Sequence, residues 1–413
     1  MNVNEIQRQT PLKILFLTSS YPRTPDDTAG IFLRHLAEHL AKRGLNIHVL
    51  APSDGASKTS TAGGITVHRF RYFLKRAQRL AYGSGILHNL RQNPSLWIEV
   101  PFFVGSMSYF LMRLARKEKF DLIHAHWLLP QGLAAVYTER WHRVPVLTTA
   151  HGSDAFGVKA FPFQILKRNI LHRSAAWTAN SHATAEALRA DTETTGPRII
   201  PMGVNVERFG NGNRNRLRTG LKDDDFVLLF VGRLVEGKGI DYLLQALALL
   251  PWTLLNRTTL WVVGEGQDLS RLTSFADDLG VAHRVRFWGQ IENDALPDVY
   301  AAADLFIAPA SGAEGQAVVL AEAFAARLCV LATRIGGIQE VVADGVTGML
   351  VQPQDSQALA GGIEKLLTDS ELRQKLASNG FLRARTYFAW ETVAARFEDL
   401  YQGIVEKASQ EGR

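Results

Sequence analysis

The chain has 413 residues, 46% of them hydrophobic and 21% charged, with a formal net charge of +6. That length suits roughly two or three domains with separate cores, and the composition excludes a disordered or fibrous chain. The single cysteine, Cys329, excludes an intrachain disulfide framework and a cysteine-based metal cluster. The positive balance favours anionic partners without singling out nucleic acid, for which no zinc finger, basic recognition helix or aromatic-plus-basic signature is present.

Short β-rich runs alternate with helical patterns from one end to the other. The first run covers residues 12–18; its apolar part, 14–17, is too short for a signal peptide and reads as a strand. Asp26-Asp-Thr-Ala-Gly30-Ile-Phe then leads into a helix over 32–43 closed by Gly44. Gly30 at the helix entrance would let a backbone amide approach a phosphate or a sugar, although a plain turn fits as well. After a second run at 46–51 the pattern turns basic and aromatic. Arg69, Arg71, Lys75, Arg76 and Arg79 interleave with Phe70, Tyr72, Phe73 and Leu80, as a face for an anionic membrane surface or as a solvated layer over the core. The uncharged stretch 101–112 has only 12 residues, where a membrane span needs about 20, so no crossing helix is expected.

Further runs at 122–125, 146–149, 177–179 and 198–201 complete the first half. His124, His126 and His142 form no metal-ligand pattern. His151-Gly-Ser-Asp154 follows the run ending at Ala150. His151 can hydrogen-bond a sugar hydroxyl or support positive charge developing at an anomeric carbon, and a structural histidine fits equally well. Residues 203–225, which include Gly210-Asn-Gly-Asn-Arg-Asn-Arg216, predict a linker. Asp223-Asp-Asp225 precedes a strand and reads as a turn rather than a metal site. The second half has runs at 226–231, 259–263, 285–287, 305–308, 329–332 and 348–351, and an amphipathic helix over 390–405. Several runs are continuously apolar, as in strands buried on both faces. Such alternation predicts an α/β chain with two doubly wound parallel sheets, each a Rossmann-like domain.

Ligands of open parallel sheets bind beyond the carboxyl ends of the strands. The unusual residues fall there: Ser19 and Ser20, His124 and His126, His151, Gly232-Arg233, Gly264-Glu-Gly266 and Glu314. In Val231-Gly-Arg-Leu-Val-Glu-Gly-Lys-Gly239, Arg233 and Lys238 can hold phosphate oxygens, one as a planar fork and one as a point charge; a surface basic pair in a flexible turn is the alternative. The run Glu314-Gly-Gln-Ala-Val-Val-Leu-Ala-Glu322 is the most informative of all. Its geometry suits a ligand with a sugar at one end and a nucleoside at the other. Glu314 on a loop accepts from sugar hydroxyls, the helix N-terminus at Ala317-Val318 offers N–H groups to a diphosphate, and Glu322, about two turns in, takes both hydroxyls of a ribose. Taken without its context, the pair also reads as a solvated loop acid and a helix-surface charge.

Together these residues resemble the retaining glycosyltransferases of family four, with the GT-B fold, over nearly the whole chain. The E-x7-E element carries the resemblance furthest. Val231-Gly-Arg-Leu with Lys238, Val263-Gly-Glu-Gly266, Ile200-Pro-Met-Gly-Val-Asn205, Ala150-His-Gly-Ser-Asp154 and Gly336-Gly337 before Glu340 support it. The resemblance implies an acceptor-binding domain over 1–202, a donor-binding domain over 203–387 facing it across a cleft, and a final helix, 388–413, crossing back. It implies that Arg233 and Lys238 hold the diphosphate, Glu322 the ribose and Glu314 the sugar, helped by amides of Gly315, Gln316 and Ala317. The loop ending at Ile291 would meet the base, and His151 and the Gly30 loop would reach in from the first domain. The implied partners are a nucleotide-diphosphate sugar, a glycan or lipid-linked acceptor and an anionic membrane, with no nucleic acid. No metal or bound cofactor is expected, and the implied setting is the cytoplasm at the inner membrane face.

Three departures stand out. Ala29 replaces the first glycine of the usual Gly-Gly loop, Gln316-Ala317 replaces a bulky residue with glycine or proline, and Arg327 and Cys329 replace the usual glycine and proline after the second glutamate. A sugar-nucleotide epimerase on the same fold and a non-catalytic nucleotide-sugar-binding subunit are the competing readings. A phosphorylase-like enzyme would need a lysine carrying pyridoxal phosphate.

Overall fold

A computed structural model describes residues 11–24, 27–53, 59–74, 77–83, 85–158, 160–189, 196–312 and 314–412. Asp26, Lys75 and Arg76, singled out above, lie outside the described residues. The chain divides into two compact units, Met1–Pro201 with Val393–Arg413, and Met202–Thr392.

The first unit is built on strands β1 (Lys13–Leu17), β2 (Asn46–Pro52), β3 (Thr59–Ala62), β4 (Ile65–Phe70), β5 (Leu122–His126), β6 (Val146–Ala150), β7 (Ala176–Ala179) and β8 (Arg198–Ile199). They form one sheet in the order β3-β4-β2-β1-β5-β6-β7-β8. Every pairing is parallel except β3 on β4. Helices that matter below are α1 (Ile31–Lys42), α2 (Glu99–Glu118), α3 (Leu133–His142) and α4 (Gly152–Phe156). β5 and β6 are buried along their whole length, as a parallel sheet covered on both faces requires.

The second unit holds β9 (Phe226–Val231), β10 (Thr258–Val263), β11 (Val285–Gly289), β12 (Leu305–Ala308), β13 (Cys329–Thr333) and β14 (Met349–Val351), with helices α5 (Ile240–Ala248) and α6 (Val318–Ala325). A final helix, α7 (Trp390–Gln410), belongs to the first unit from Val393 onward. The strand order is β11-β10-β9-β12-β13-β14, all parallel. The apolar run of β9 explains the two covered faces. Val227 and Leu229 enter one buried cluster and Leu228 and Phe230 the other, as the two-residue period of a strand dictates. The order reverses between β9 and β12, which opens a crevice at their carboxyl ends.

Three readings of the sequence are corrected. The basic, aromatic stretch is not a continuous outward face. Arg69 and Phe70 close strand β4; Phe70, Tyr72 and Leu80 are buried, and Arg69 donates to the carbonyl of Tyr21 and the hydroxyl of Tyr82 at 3.0 and 2.7 Å. The missed hairpin had a signal: Gly63 and Gly64, both at positive φ, join β3 and β4, the requirement of a two-residue hairpin turn.

Residues 203–225 are docked rather than a free linker. Arg216 pairs with Asp298 at 2.7 Å, Arg214 and Arg218 with Asp304 at 2.6 and 3.0 Å, and Val204 bridges Ala389. The uncharged stretch 101–112 is also extended on both sides by helix. Pro94–Glu118 is helical throughout and, by length and composition alone, long and apolar enough to cross a membrane. Its buried stripe, Phe103, Met107, Leu111 and Ala115, is part of the first unit's core.

Candidate active site

In the second unit a cavity of about 210 Å³ opens at the crevice between β9 and β12. Phe230, Val231 and Gly232 come from the end of β9, and Ala308, Pro309 and Ala310 from the end of β12. Lys238, Glu314, Gln316, Ala317 and Val318 also line it, over a floor that includes Phe306, Ile307 and Ile338. The sequence therefore brings a cation, a carboxylate and the entrance of α6 to the place where an open α/β sheet receives its ligand.

The loop carrying Lys238 lies against the one following β12. Gly237 accepts from the amides of Ser311 and Gly312, both at 2.9 Å. Gly239 adopts φ +72°, and a Cβ there would sit 1.8 Å from the carbonyl oxygen of Pro309. No side chain fits that approach. Lys238 Nζ donates to Glu314 Oε1, with both groups partly buried. The two residues expected to face a diphosphate and a sugar thus neutralise each other. A ligand bearing negative charge and hydroxyls can replace this internal pair with two charge-assisted contacts.

The segment between Glu314 and α6 is fixed from both sides. The Glu314 carbonyl accepts from Gly337 N at 3.0 Å. Gln316 Oε1 accepts from Met202 N at 2.6 Å, and its Nε2 donates to Met202 O at 2.9 Å. That clasp was not legible in the sequence, because its partner is 114 residues away. Glu322 is the fifth residue of α6, just over one turn in rather than two. Tyr300 donates to its Oε2 at 2.8 Å. Burial raises the Glu322 carboxyl above its ordinary value, against the pull of the Tyr300 bond and of Arg208. The partner Tyr300 lies on another helix and gave no local signal.

Other expected members stand apart from this wall. Arg233 is exposed, and its side chain has no protein partner among the described residues. It does not line the cavity, nor do Gly264, Ile291, Gly315 or Glu322. Gly264 donates to Gly289 O at 2.8 Å, tying the loop after β10 to the end of β11. Ile291 packs on the cluster that includes Trp261 and Phe306. Arg327, standing where a glycine is usual, adopts φ +58° and lays its guanidinium 3.6 Å from the ring centre of Phe381.

The first unit has its own cluster at the carboxyl ends of β5 and β6. His151 precedes α4 and is buried, with its Nε2 unpartnered. Its ring lies 4.8 Å from Trp127, 5.3 Å from Phe32 and 5.8 Å from His126. Burial pushes its pKa down to about 3, so the imidazole is neutral at physiological pH. Asp154 fixes its backbone: Oδ2 accepts from His151 N at 2.9 Å, and Oδ1 from Leu128 N at 3.0 Å. Burial raises the Asp154 pKa to about 7 even so. His126 is fully buried with neither ring nitrogen partnered, whereas His124 bonds Tyr401 and Thr149 at 2.7 and 2.6 Å. Gly30 enters α1 at φ +71°, with room for no Cβ beside the carbonyl of Ser20. Among the described residues no group of three His, Cys, Asp or Glu side chains is placed to hold a metal ion.

Two parallel α/β units, each with polar side chains gathered at its strand ends, define a GT-B protein. Comparison with known proteins gives the family. The profile of glycosyl transferases group 1 matches residues 213–383, and that of glycosyltransferase family 4 matches residues 29–208. The chain is 33% identical to D-inositol 3-phosphate glycosyltransferase 1 of Catenulispora acidiphila, over 70% of this chain and 73% of that one. It is 29% identical to the putative teichuronic acid biosynthesis glycosyltransferase TuaC of Bacillus subtilis, over 94% and 95%. Among solved structures, sucrose-phosphate synthase from Thermosynechococcus elongatus aligns with a TM-score of 0.80 at 24% identity, covering 96% of this chain and all (100%) of that one. Anabaena Alr3699/HepE in complex with UDP and glucose aligns at 0.73 and 23% identity, covering 95% and 100%. The chain belongs to this glycosyltransferase family.

Proposed function

We propose that the protein is a retaining glycosyltransferase that moves a sugar from a nucleotide-diphosphate sugar to a glycan or lipid-linked acceptor without a metal ion. Its setting would be cell-surface polysaccharide or glycolipid synthesis at the cytoplasmic membrane face. The observation that carries this reading is the meeting of Lys238, Glu314 and the entrance of α6 in one cavity at the strand-order reversal. The name of TuaC and the UDP and glucose in the HepE structure are consistent with it.

In this reading the second unit binds the donor. Lys238 leaves Glu314 for the diphosphate, and Arg233, exposed and unpaired, joins it on ligand binding. Glu314 then accepts from the sugar hydroxyls, with amides of Gly315, Gln316 and Ala317 beside it. Glu322 takes the ribose, and the loop at Ile291 meets the base. The first unit binds the acceptor, with His151 and the Gly30 loop reaching the reacting sugar. The bond from the anomeric carbon to the diphosphate oxygen breaks, and the acceptor oxygen bonds that carbon on the same face. The departing phosphate takes the acceptor's proton, so no protein nucleophile is required. The cations and helix N-terminus stabilise the charge as it develops. A neutral His151 supplies a hydrogen bond rather than a charge.

The test is a set of UDP-, GDP-, ADP- and dTDP-sugars with candidate acceptors, with and without a chelator, read by proton NMR. The reading requires chelator-insensitive transfer and a product with the donor's anomeric configuration. An inverted product, or epimerised donor formed without acceptor, would refute it.

A further inference from the structure

We propose that the space between the C-terminal half of α2 and strands β2, β3 and β4 is a binding site for a small soluble organic phosphate, separate from the cavity at Lys238. The space measures about 600 Å³, against about 210 Å³ at Lys238. That is the size of a small-molecule site. Strand register explains why it is open. His48 pairs with Thr66, Leu50 with His68, and Thr59 with His68. Paired residues share a face of the sheet. One patch facing the helix therefore carries two imidazoles and two threonines, where large apolar side chains would fill the layer. From the helix, Phe110 and Leu114 reach the space one turn apart, with Arg113 and Lys117 beside them. None of these belongs to the buried stripe of α2, which is Phe103, Met107, Leu111 and Ala115.

The charges of the wall choose the ligand. Arg69, Arg113 and Lys117 against Glu118 leave an excess of two positive charges. Arg69 is held by the carbonyl of Tyr21 at 3.0 Å and the hydroxyl of Tyr82 at 2.7 Å, so it contributes field rather than contact. Glu118 already answers Lys13 at 2.7 Å and Lys117 at 3.4 Å. Arg113 is exposed, and its side chain has no protein partner among the described residues. The excess repels a cation and matches a phosphate dianion, whose oxygens fit the fork of a guanidinium. On the sheet side, His48 Nδ1 and His68 Nε2 share a hydrogen bond at 2.9 Å, and His68 Nδ1 lies 3.3 Å from Thr59 Oγ1. Burial is the first cause that lowers both imidazoles, so they are neutral and offer hydrogen bonds without added charge. Leu50, Phe110 and Leu114 supply an apolar wall. A bare inorganic ion would leave that wall unused, so the ligand carries an organic body.

Isothermal titration calorimetry of the full chain with phenyl phosphate, inorganic phosphate and phenol tests this. The parent is compared with Arg113→Gln/Lys117→Gln and with Leu114→Trp, which fills the space without removing a charge. Lys238→Ala, which removes the cation of the other cavity, lets the proposal fail or hold separately from the transfer reading. Unchanged thermal unfolding verifies that each variant folds. Phenyl phosphate should bind the parent and Lys238→Ala equally, and at least about tenfold more tightly than inorganic phosphate or phenol. The double variant and Leu114→Trp should each weaken it at least about tenfold. Binding lost in Lys238→Ala but kept in the double variant would place the phosphate in the other cavity and overturn the proposal. Parent-like affinity in both the double variant and Leu114→Trp, equal affinity for inorganic phosphate, or no binding by the parent would do the same. Binding to phosphatidylglycerol vesicles without binding to phenyl phosphate would make the ligand a lipid headgroup, and would also overturn it.

Discussion

The two clusters at the strand ends solve different electrostatic problems. In the second unit Lys238 and Glu314 are partly exposed and compensate each other until a ligand arrives. In the first, His151 is enclosed by Trp127 and Phe32 and kept neutral by burial. A charged pair near solvent can be exchanged for ligand contacts at little desolvation cost, whereas a buried imidazole offers direction without charge. Each cluster thus meets its own electrostatic demand within its own unit, one by mutual compensation and one by exclusion of charge.

The largest break in this comparison should come from Gly239→Val. Its Cβ has no space against Pro309 and its backbone is left-handed, so the Lys238 loop must move. We expect loss of turnover and about 2–3 kcal/mol of destabilisation, read by urea unfolding. Glu314→Ala should leave folding intact and lower kcat/KM roughly 10²-fold, the scale of charge-assisted hydrogen bonds removed from the reacting sugar. Steady-state kinetics at matched donor concentration measure it, and parent-like activity would remove Glu314 from the site.

Acid should separate the units. His48, with its pKa lowered to about 4, and His151, lowered to about 3, lie in the first unit together with the strongly lowered His124 and His126. Burial is the first cause in each case. Between these values and the ordinary 6.5 the unfolded chain binds more protons, so first-unit stability falls as pH drops below about 6.5. Asp154, raised to about 7, works in the opposite sense between about 4 and 7, but it is one group against six imidazoles, since burial also lowers His68 and His142. In the second unit the raised Glu322 gains relative stability on acidification. Limited proteolysis near pH 4.5 should therefore cut the first unit first; equal cutting of both would contradict the assignment. Gln316→Ala should have the smallest effect. Removing its two bonds to Met202 should cost about 1–2 kcal/mol and raise KM severalfold by loosening the segment after Glu314, while Gln316→Glu should recover only the accepting half.

Legibility followed range along the chain. Twelve of the strands were found as short apolar or β-rich runs, because burial on both faces leaves a local composition that needs no partner to be seen. β3 and β4 were missed because β3 is exposed along its length and β4 mixes His68 and Arg69 into its alternation. The basic charges of 69–79 then outweighed a turn signal at Gly63-Gly64. Lys238, Glu314 and the entrance of α6 were legible as motifs. What they bond to was not: the Gln316–Met202 clasp and the Tyr300–Glu322 bond join elements far apart in sequence, and the Lys238–Glu314 pair depends on how two loops stack. Residues 203–225 misled for the same reason, since their turn-rich composition says nothing of the aspartates at 298 and 304 that hold them down.

In the proposed function the cavity holding Lys238 and Glu314 receives the nucleotide-diphosphate sugar. The most direct measurement is thermal unfolding of the parent and of Lys238→Ala across the four nucleotide-sugars, since a ligand bound to the native state raises the melting temperature. A clear rise with one nucleotide class, insensitive to chelator, is expected in the parent, and its loss in Lys238→Ala at unchanged stability without nucleotide-sugar. A rise of the same size in both proteins would place the donor elsewhere.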